Sequence, residues 1–229
     1  MRTIKDIRVY QSTVPNTNGH SLPAEIWNRQ LDIMARRMAL KLREQGFSLG
    51  DFDHLYINFT TCSVPGGVAP AGRSPDPYHP WYRYYDVEIS EALHACLCEL
   101  SELDEPIAAS LLERVLTEHF ATDDFDEVRI RACLHTALSE GEDMLILYKE
   151  KRTATRTATV YLRLLNSGRF WPLLRVMDVE GHCLIEADLP QTIDLSSIGD
   201  VQVSAKRAVI KPKKNAFSAR LEPLCFEWA

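Results

Sequence analysis

The spacing of apolar residues changes near Met144, and this change constrains the fold more than any other feature of the chain. Before it, apolar residues recur every three or four positions in long segments, which is typical of amphipathic helices. After it, apolar and polar residues alternate in short segments, which is typical of half-buried strands. We therefore predict an α+β fold with an N-terminal strand and long helix, an acidic helical middle and an antiparallel β-rich C-terminal half.

The first part of the chain carries clear signals for the start and end of elements. Ile4–Gln11 alternates as a strand, and Leu22–Gln45 has helical spacing, with Ser21 as its predicted cap and Gly46 at its end. Two more strands are expected on either side of a long loop rich in Gly and Pro: Leu55–Phe59, the loop Thr61–Pro80, and Trp81–Ile89. Three helices are then predicted from start and stop residues: Ser90, Pro106, Asp124 and Gly141.

The second part carries strand signals throughout. The predicted strands are Met144–Tyr148, Thr157–Leu165, Leu173–Val179 and Cys183–Asp188. Glu180-Gly181 suits a tight hairpin between the last two. A closing hairpin is expected from Val201–Ile210 and Phe217–Trp228, with its turn at Pro212–Asn215. We predict a single domain over residues 1–229, with a possible subdivision into 1–150 and 151–229.

Charge is distributed unevenly along the chain. Residues 86–150 hold 17 Asp and Glu against four Lys and Arg, a local balance of −13, whereas the remainder has 15 acidic and 22 basic residues, or +7. A field of one sign attracts a partner of the opposite sign and speeds encounter. The overall acidity argues against nucleic-acid binding, which needs clustered Lys and Arg to neutralise phosphates. The expected partner is therefore a basic protein.

Targeting signals and cysteine usage indicate the compartment. No apolar stretch approaches the roughly 18 residues of a membrane helix, and no apolar run follows the N-terminal residues, so neither a membrane segment nor a signal peptide is expected. The six cysteines of this chain are then expected to be free thiols in a reducing cytoplasm.

Aromatic residues are densest between Pro77 and Tyr85. Tyr, Trp and Arg commonly anchor interfaces because each offers a large contact area with a polar group. We expect the strand residues of this segment to pack on both faces of a sheet, which leaves the loop residues for recognition. The predicted partner-binding residues combine this loop with acidic helix faces: Tyr78, His79, Glu113, Glu118, Asp123 and Asp126.

Metal ligation is not expected. His94 and Cys98 share a helix face, but Cys96 points away from them, and Cys133 and His135 diverge on another helix. Zinc needs about four ligands that converge at short range, and the sequence has neither a Cys-x-x-Cys pair nor a His-Glu-x-x-His motif. Cys96 and Cys133 are expected on apolar faces as small buried side chains. We predict no metal, no cofactor and no catalytic residue.

An enzymatic alternative uses a cysteine nucleophile. Cys62 follows a predicted strand, and His54 or His79 would serve as its base in a small hydrolase or transferase. A third possibility is a scaffold or assembly protein whose aromatic strand pairs with another chain.

Three stretches resemble a known family: His54–Thr60, Trp81–Val87 and Phe226–Trp228. In these the chain resembles immunity proteins of bacterial polymorphic toxin and contact-dependent inhibition systems. The resemblance implies a cytoplasmic, non-enzymatic protein that binds one toxin domain and blocks it. With the acidic middle, it leads to the expectation of an immunity-type inhibitor that occludes a basic toxin enzyme, such as a nuclease.

Overall fold

A computed structural model describes residues 1–13, 18–23, 30–73, 76–99, 105–215 and 220–228. The chain divides into two compact units, residues 1–141 and 142–229. The α+β class and the antiparallel β-rich C-terminal half are confirmed. The predicted subdivision at residue 150 falls inside a strand of the second unit, Ile146–Arg152. The single domain stays a prediction.

A four-stranded sheet forms the centre of the first unit. Its strands are β1 (Asp6–Val9), β2 (His54–Thr60), β3 (Val68–Pro70) and β4 (Tyr82–Glu88). Their spatial order is β1-β2-β4-β3, with β1, β2 and β4 parallel and β3 antiparallel to β4 at the edge. The register places Asp6, His54 and Tyr82 side by side. The starts of the three parallel strands therefore lie together at one end of the unit.

Three of the four described helices pack together over one face of this sheet. The described helices are α1 (Gln30–Glu44), α2 (Glu91–Glu99), α3 (Glu105–Phe120) and α4 (Glu127–Glu140). α1 packs on β1, and α1, α3 and α4 pack on one another. Side chains alternate along a strand, so one face carries the buried Leu55 and Ile57 together with Tyr85, whose ring contacts Phe120 of α3. Within the described residues, no helix has the length and apolar composition that a membrane crossing requires.

The start of the first helix differs from the prediction. Ser21 forms an antiparallel bridge with Thr60, and the Leu22 N–H donates to the Phe59 carbonyl at 2.8 Å. These residues pair alongside the end of β2, so Ser21 does not cap a helix that begins at Leu22. Residues 24–29 of the predicted helix lie outside the described residues. Gly46 follows the helix with φ +84°, a conformation that glycine adopts without steric cost, as expected for a helix end.

Two further predictions in the first unit need correction. Asp126, not Asp124, caps α4, because the Asp126 side chain accepts a hydrogen bond from the Arg129 N–H. The predicted loop Thr61–Pro80 contains the short strand β3, which pairs with Val87, Asp86 and Tyr85. Ser90 caps α2 as predicted, since its hydroxyl accepts from the Leu93 N–H at 3.1 Å.

The second unit consists of two antiparallel sheets. One contains β5 (Ile146–Arg152), β6 (Arg156–Leu164), β7 (Phe170–Asp178) and β8 (Cys183–Asp188) in chain order. The other contains β9 (Asp200–Val203), β10 (Arg207–Lys211) and β11 (Leu224–Glu227) in the order β11-β10-β9. β9 packs against β5 and β6. The unit's core includes the buried Val160, Leu174 and Ile210.

The C-terminal strands confirm one predicted hairpin and correct another. β7 and β8 meet at Glu180-Gly181, where Gly181 has φ +86°. The segment Val201–Ile210, predicted as one strand, is instead split into β9 and β10, which pair with each other. β10 also pairs with β11, as the closing hairpin predicts. Residues 216–219 of that prediction lie outside the described residues.

Candidate functional site

An exposed loop directly precedes β4, at the end of the unit where the parallel strands begin. We call it the aromatic loop, residues 78–81. Asp76 shapes it, because its carboxylate accepts a hydrogen bond from the Tyr78 N–H at 2.8 Å. The His79 ring stacks on Tyr82, with ring centres 4.6 Å apart and an interplanar angle of 8°. Tyr78 is 85% exposed, and Trp81 is 36% exposed. The loop therefore offers large aromatic surfaces to solvent, as interface anchors do.

Asp53 forms ion pairs that hold the N-terminal segment, which includes Arg2 and Lys5, beside this loop. Its buried carboxylate lies 2.8 Å from Lys5 Nζ, 2.6 Å from His54 Nδ1 and 3.4 Å from Arg2 Nη1. Burial by itself would raise the pKa of Asp53, but hydrogen bonds from Lys5 and His54 outweigh burial, so the pKa is lowered. Arg2 also lies over the Trp81 ring, 4.6 Å from its centre. The segment is thus held at the same end as the aromatic loop.

The junction of α3 and α4 forms a group of exposed carboxylates at this end. The Asp126 side chain caps α4 at 2.9 Å from the Arg129 N–H. Phe125 is buried beneath the junction, with its ring 5.0 Å from that of Phe47. Arg129 lies over the outer side of Phe125 and donates to the Asp124 carbonyl at 2.6 Å. We call the exposed carboxylates the acidic corner: Asp123, Asp124, Asp126 and Glu127.

A cleft of about 480 Å³ joins these features. It lies between the start of the chain, the segment after α1 and the α3–α4 junction, and its lining includes Met1, Thr3, Ser48, Phe120 and Asp124. Met1 and Thr3 flank Arg2, the residue that contacts Trp81. The cleft is therefore adjacent to the aromatic loop on one side and to the acidic corner on the other. We call the three together the end surface.

Four of the six predicted partner-binding residues lie on the end surface: Tyr78, His79, Asp123 and Asp126. Glu118 is exposed in the last turn of α3, close to the cleft residue His119. Glu113 lies about two turns before the end of α3 and forms an ion pair with Arg131 at 2.8 Å; Glu127 of the acidic corner pairs with the same arginine at 2.8 Å. Glu113 thus connects α3 to α4 within the unit.

The sheet face opposite the helices carries an aromatic cluster. The sequence predicted the packing of the aromatic strand on this face but missed the rings that other segments contribute. Its members have neighbouring ring centres between 4.4 and 6.3 Å apart: Tyr10, His54, Tyr56, His79, Tyr82 and Tyr84. The alternation of β2 predicts that Tyr56 lies opposite the buried Leu55 and Ile57. Its proximity to Tyr84 depends on the parallel register of β2 and β4, which local alternation does not determine.

This cluster is partly closed to water. Burial raises the pKa of Tyr10 to about 12, with a further contribution from the negative charge of Asp86. Burial likewise raises the pKa of Tyr56 to about 12. Asp86 accepts a hydrogen bond from Asn58 at 2.8 Å, and Asn58 accepts one from the Ser12 N–H at 3.0 Å. These hydrogen bonds lie beside the cluster, which continues into the aromatic loop through the stacking of His79 on Tyr82.

The structure separates the residues of the proposed cysteine nucleophile. His54 opens β2 and Cys62 follows its end, with the extended strand between them. Because a strand rises about 3.3 Å per residue, the six intervals from His54 to Thr60 alone span roughly 20 Å. His79 stacks on Tyr82, which pairs with His54, so both histidines are at the end remote from Cys62. The geometry brings neither histidine to this thiol.

The scaffold alternative meets a similar obstacle. β4 pairs with β2 on one side along its whole length and with β3 on the other at Tyr85, Asp86 and Val87. The next position is also occupied, because the Ala71 N–H donates to the Tyr84 carbonyl at 2.8 Å. This part of the aromatic strand therefore lacks a free edge for pairing with another chain.

The burial of the cysteines was predicted in part. Cys133 is buried as expected, but Cys96 is exposed and does not lie on an apolar face. All six cysteines are free thiols. Within the described residues, one group has ligand atoms close enough for a metal: Asp178, Glu180 and His182. Asp178 accepts from the N–H groups of the other two, which explains their proximity as part of the β7–β8 turn.

Comparison with known proteins gives no relative for this chain: no protein-family model matches it, and neither does any curated protein or solved structure.

Proposed function

We propose that this chain is a binding protein that captures a basic protein partner on the end surface. The observation that supports this most is that exposed aromatic side chains and exposed carboxylates flank one cleft. Tyr78 and Trp81 supply contact area at low cost in side-chain entropy, while Asp123 and Asp124 supply negative charge. Aromatic anchors slow dissociation, and charges at the rim mainly speed association.

The specific form of the proposal is an immunity-type inhibitor of a basic toxin enzyme. Enzymes that bind phosphates concentrate positive charge in their clefts, and an acidic protein surface can occupy such a cleft in place of the substrate. The acidic corner would approach the basic groups, while Tyr78 and Trp81 would pack on the rim of the toxin's cleft. Inhibition would follow from occlusion, with no chemical step.

The test measures association of the purified chain with the partner recovered from source cells. In one variant, charge is reversed by Glu118→Lys, Asp123→Lys and Asp124→Lys, and removed by Asp126→Ser, which retains a capping hydroxyl. We expect the association rate at low salt to fall by about tenfold or more. The wild-type rate should also decrease steeply with salt, since the Debye length shortens from about 30 Å at 0.01 M to about 8 Å at 0.15 M.

The matched control reverses three exposed carboxylates of the same unit outside the end surface: Glu91→Lys, Glu99→Lys and Glu140→Lys. Its association rate should stay close to that of the wild type. Tyr78→Ala should leave the association rate nearly unchanged and raise the dissociation rate. Equal losses in the two charge-reversal variants would contradict a localised acidic interface, and unchanged binding in both would place the interface away from the acidic corner.

A further inference from the structure

A second group of reactive side chains lies at the opposite, carboxyl end of the parallel strands. α2 follows β4 and places His94 and Cys98 one turn apart on the same helix face. The Cys98 Sγ lies 3.7 Å from His94 Nδ1. The Ser21 carbonyl, held by the bridge between Ser21 and Thr60, lies 3.4 Å from His94 Nε2. The imidazole is thus positioned between a carbonyl oxygen and a thiol.

These partners assign the tautomer of His94. A carbonyl oxygen only accepts hydrogen bonds, so Nε2 carries the hydrogen that faces Ser21. Nδ1 then has a free lone pair directed at Cys98, and the thiol is the donor. An imidazole nitrogen in this position can take the thiol proton and generate the thiolate, which is the nucleophilic form of cysteine.

The other cysteines provide internal comparisons. Cys62 and Cys133 are buried, whereas Cys96, Cys183 and Cys225 are exposed like Cys98. In the part of the chain that the structure describes, Cys98 alone combines an exposed thiol with a hydrogen bond to a histidine. Cys96 is the closest match, because it lies on the same helix and shares its exposure without that histidine contact.

We propose that Cys98 is a thiol-modification site that exchanges with small-molecule disulfides of the oxidised-glutathione class. His94 Nδ1 accepts the thiol proton, and the Cys98 sulfur attacks one sulfur of the disulfide. The new S–S bond forms as the old one breaks, and the departing thiolate takes the proton from His94. One protein thiol and one disulfide thus give one mixed disulfide and one free small-molecule thiol. A second small thiol reverses the reaction.

The test follows each cysteine of the intact chain by mass spectrometry during reaction with oxidised glutathione at pH 7. Because His94 can take the Cys98 proton as the sulfur attacks, we expect Cys98 to react about tenfold faster than Cys96 and Cys183. His94→Ala should reduce the Cys98 rate to that of Cys96. The control His135→Ala, at an exposed histidine of α4, should leave it unchanged.

The buried cysteines report on folding in the same experiment. If His94→Ala unfolds the unit, Cys62 and Cys133 will react as well, and the conservative His94→Gln is then measured instead. Equal rates for Cys98 and Cys96 in the wild-type chain would overturn the proposal. It would also be overturned if a folded His94 variant kept the fast Cys98 reaction.

Discussion

Replacing Asp53 by asparagine should destabilise the first unit and loosen the N-terminal segment of the end surface. The Asp53 side chain is 1% exposed and contacts Lys5, His54 and Arg2. A hydrogen bond to a charged group contributes about 1.5–3 kcal/mol, and breaking a buried ion pair costs about 3–5 kcal/mol. Lys5 and Arg2 are nearly half exposed and regain water, so we expect a loss of about 3 kcal/mol for Asp53→Asn.

Urea unfolding followed by circular dichroism at 222 nm measures this loss, because the described α-helices all belong to the first unit. The matched control is Asp51→Asn, whose carboxylate is 78% exposed and pairs with Arg83; it should cost less than about 1 kcal/mol. Equal losses for the two variants would refute the argument that buried ion pairing at Asp53 secures the segment.

The pH dependence of the unfolding free energy tests the ion pairing of Asp53 in a second way. The pKa of Asp53 is lowered in the folded chain, so its stabilisation is fully present above the ordinary unfolded value of about 3.9. It is lost as the pH falls through the folded pKa. The difference in stability between the wild type and Asp53→Asn should therefore shrink as the pH falls below about 3.9. A difference that grows in acid would contradict the assigned direction.

Three further predictions concern a helix cap, a core ring and the ionisation of two tyrosines. Asp126→Ala should cost about 1 kcal/mol through loss of the helix cap, whereas Asp124→Ala should change stability by less than about 0.5 kcal/mol in urea unfolding. Phe47→Ala should cost about 4 kcal/mol, because the ring is fully buried against the α3–α4 junction. Tyr10 and Tyr56 should ionise near pH 12 in ultraviolet titration, so the stabilisation from keeping them neutral is present below about pH 10 and lost as the pH rises toward 12.

Local sequence signals predicted the elements whose spacing and terminal residues agree. The alternation of residues 55–59 falls within β2, and the predicted strand Cys183–Asp188 matches β8, which follows the Gly181 turn. Where the sequence offered two positions or roles for a helix cap, tertiary contacts determined which one forms. Ser21 has the chemistry of a helix cap, but its backbone pairs with Thr60 instead. Asp124 and Asp126 both suit a cap, and burial of Phe125 between them leaves Asp126 at the first turn.

The sequence predicted the exposed residues of the end surface but not that they lie close together. Exposed aromatic and acidic residues are visible in the sequence, but Tyr78 and Asp123 are separated by α2 and α3 along the chain. Parallel pairing brings the start of β4 beside the start of β2, and the contacts of Phe120 with Phe52 and Tyr85 bring the end of α3 to the same end of the unit. The aromatic cluster as a whole was missed for the same reason, because Tyr10, Tyr56 and Tyr84 come from three different strands or strand ends.

The two cysteine–histidine pairs show how the rise per residue of a strand or a helix determines whether residues close in sequence can react. His54 and Cys62 are close in sequence, yet the strand between them extends at about 3.3 Å per residue and places them at opposite ends of the sheet. His94 and Cys98 are four apart on a helix, which rises only about 1.5 Å per residue, so the imidazole reaches the thiol at 3.7 Å. The bridge of Ser21 to β2 then orients the ring. The helical pair was visible in the sequence as a potential metal ligand set; the carbonyl partner, which makes His94 a base for Cys98, depends on a contact 73 residues away along the chain.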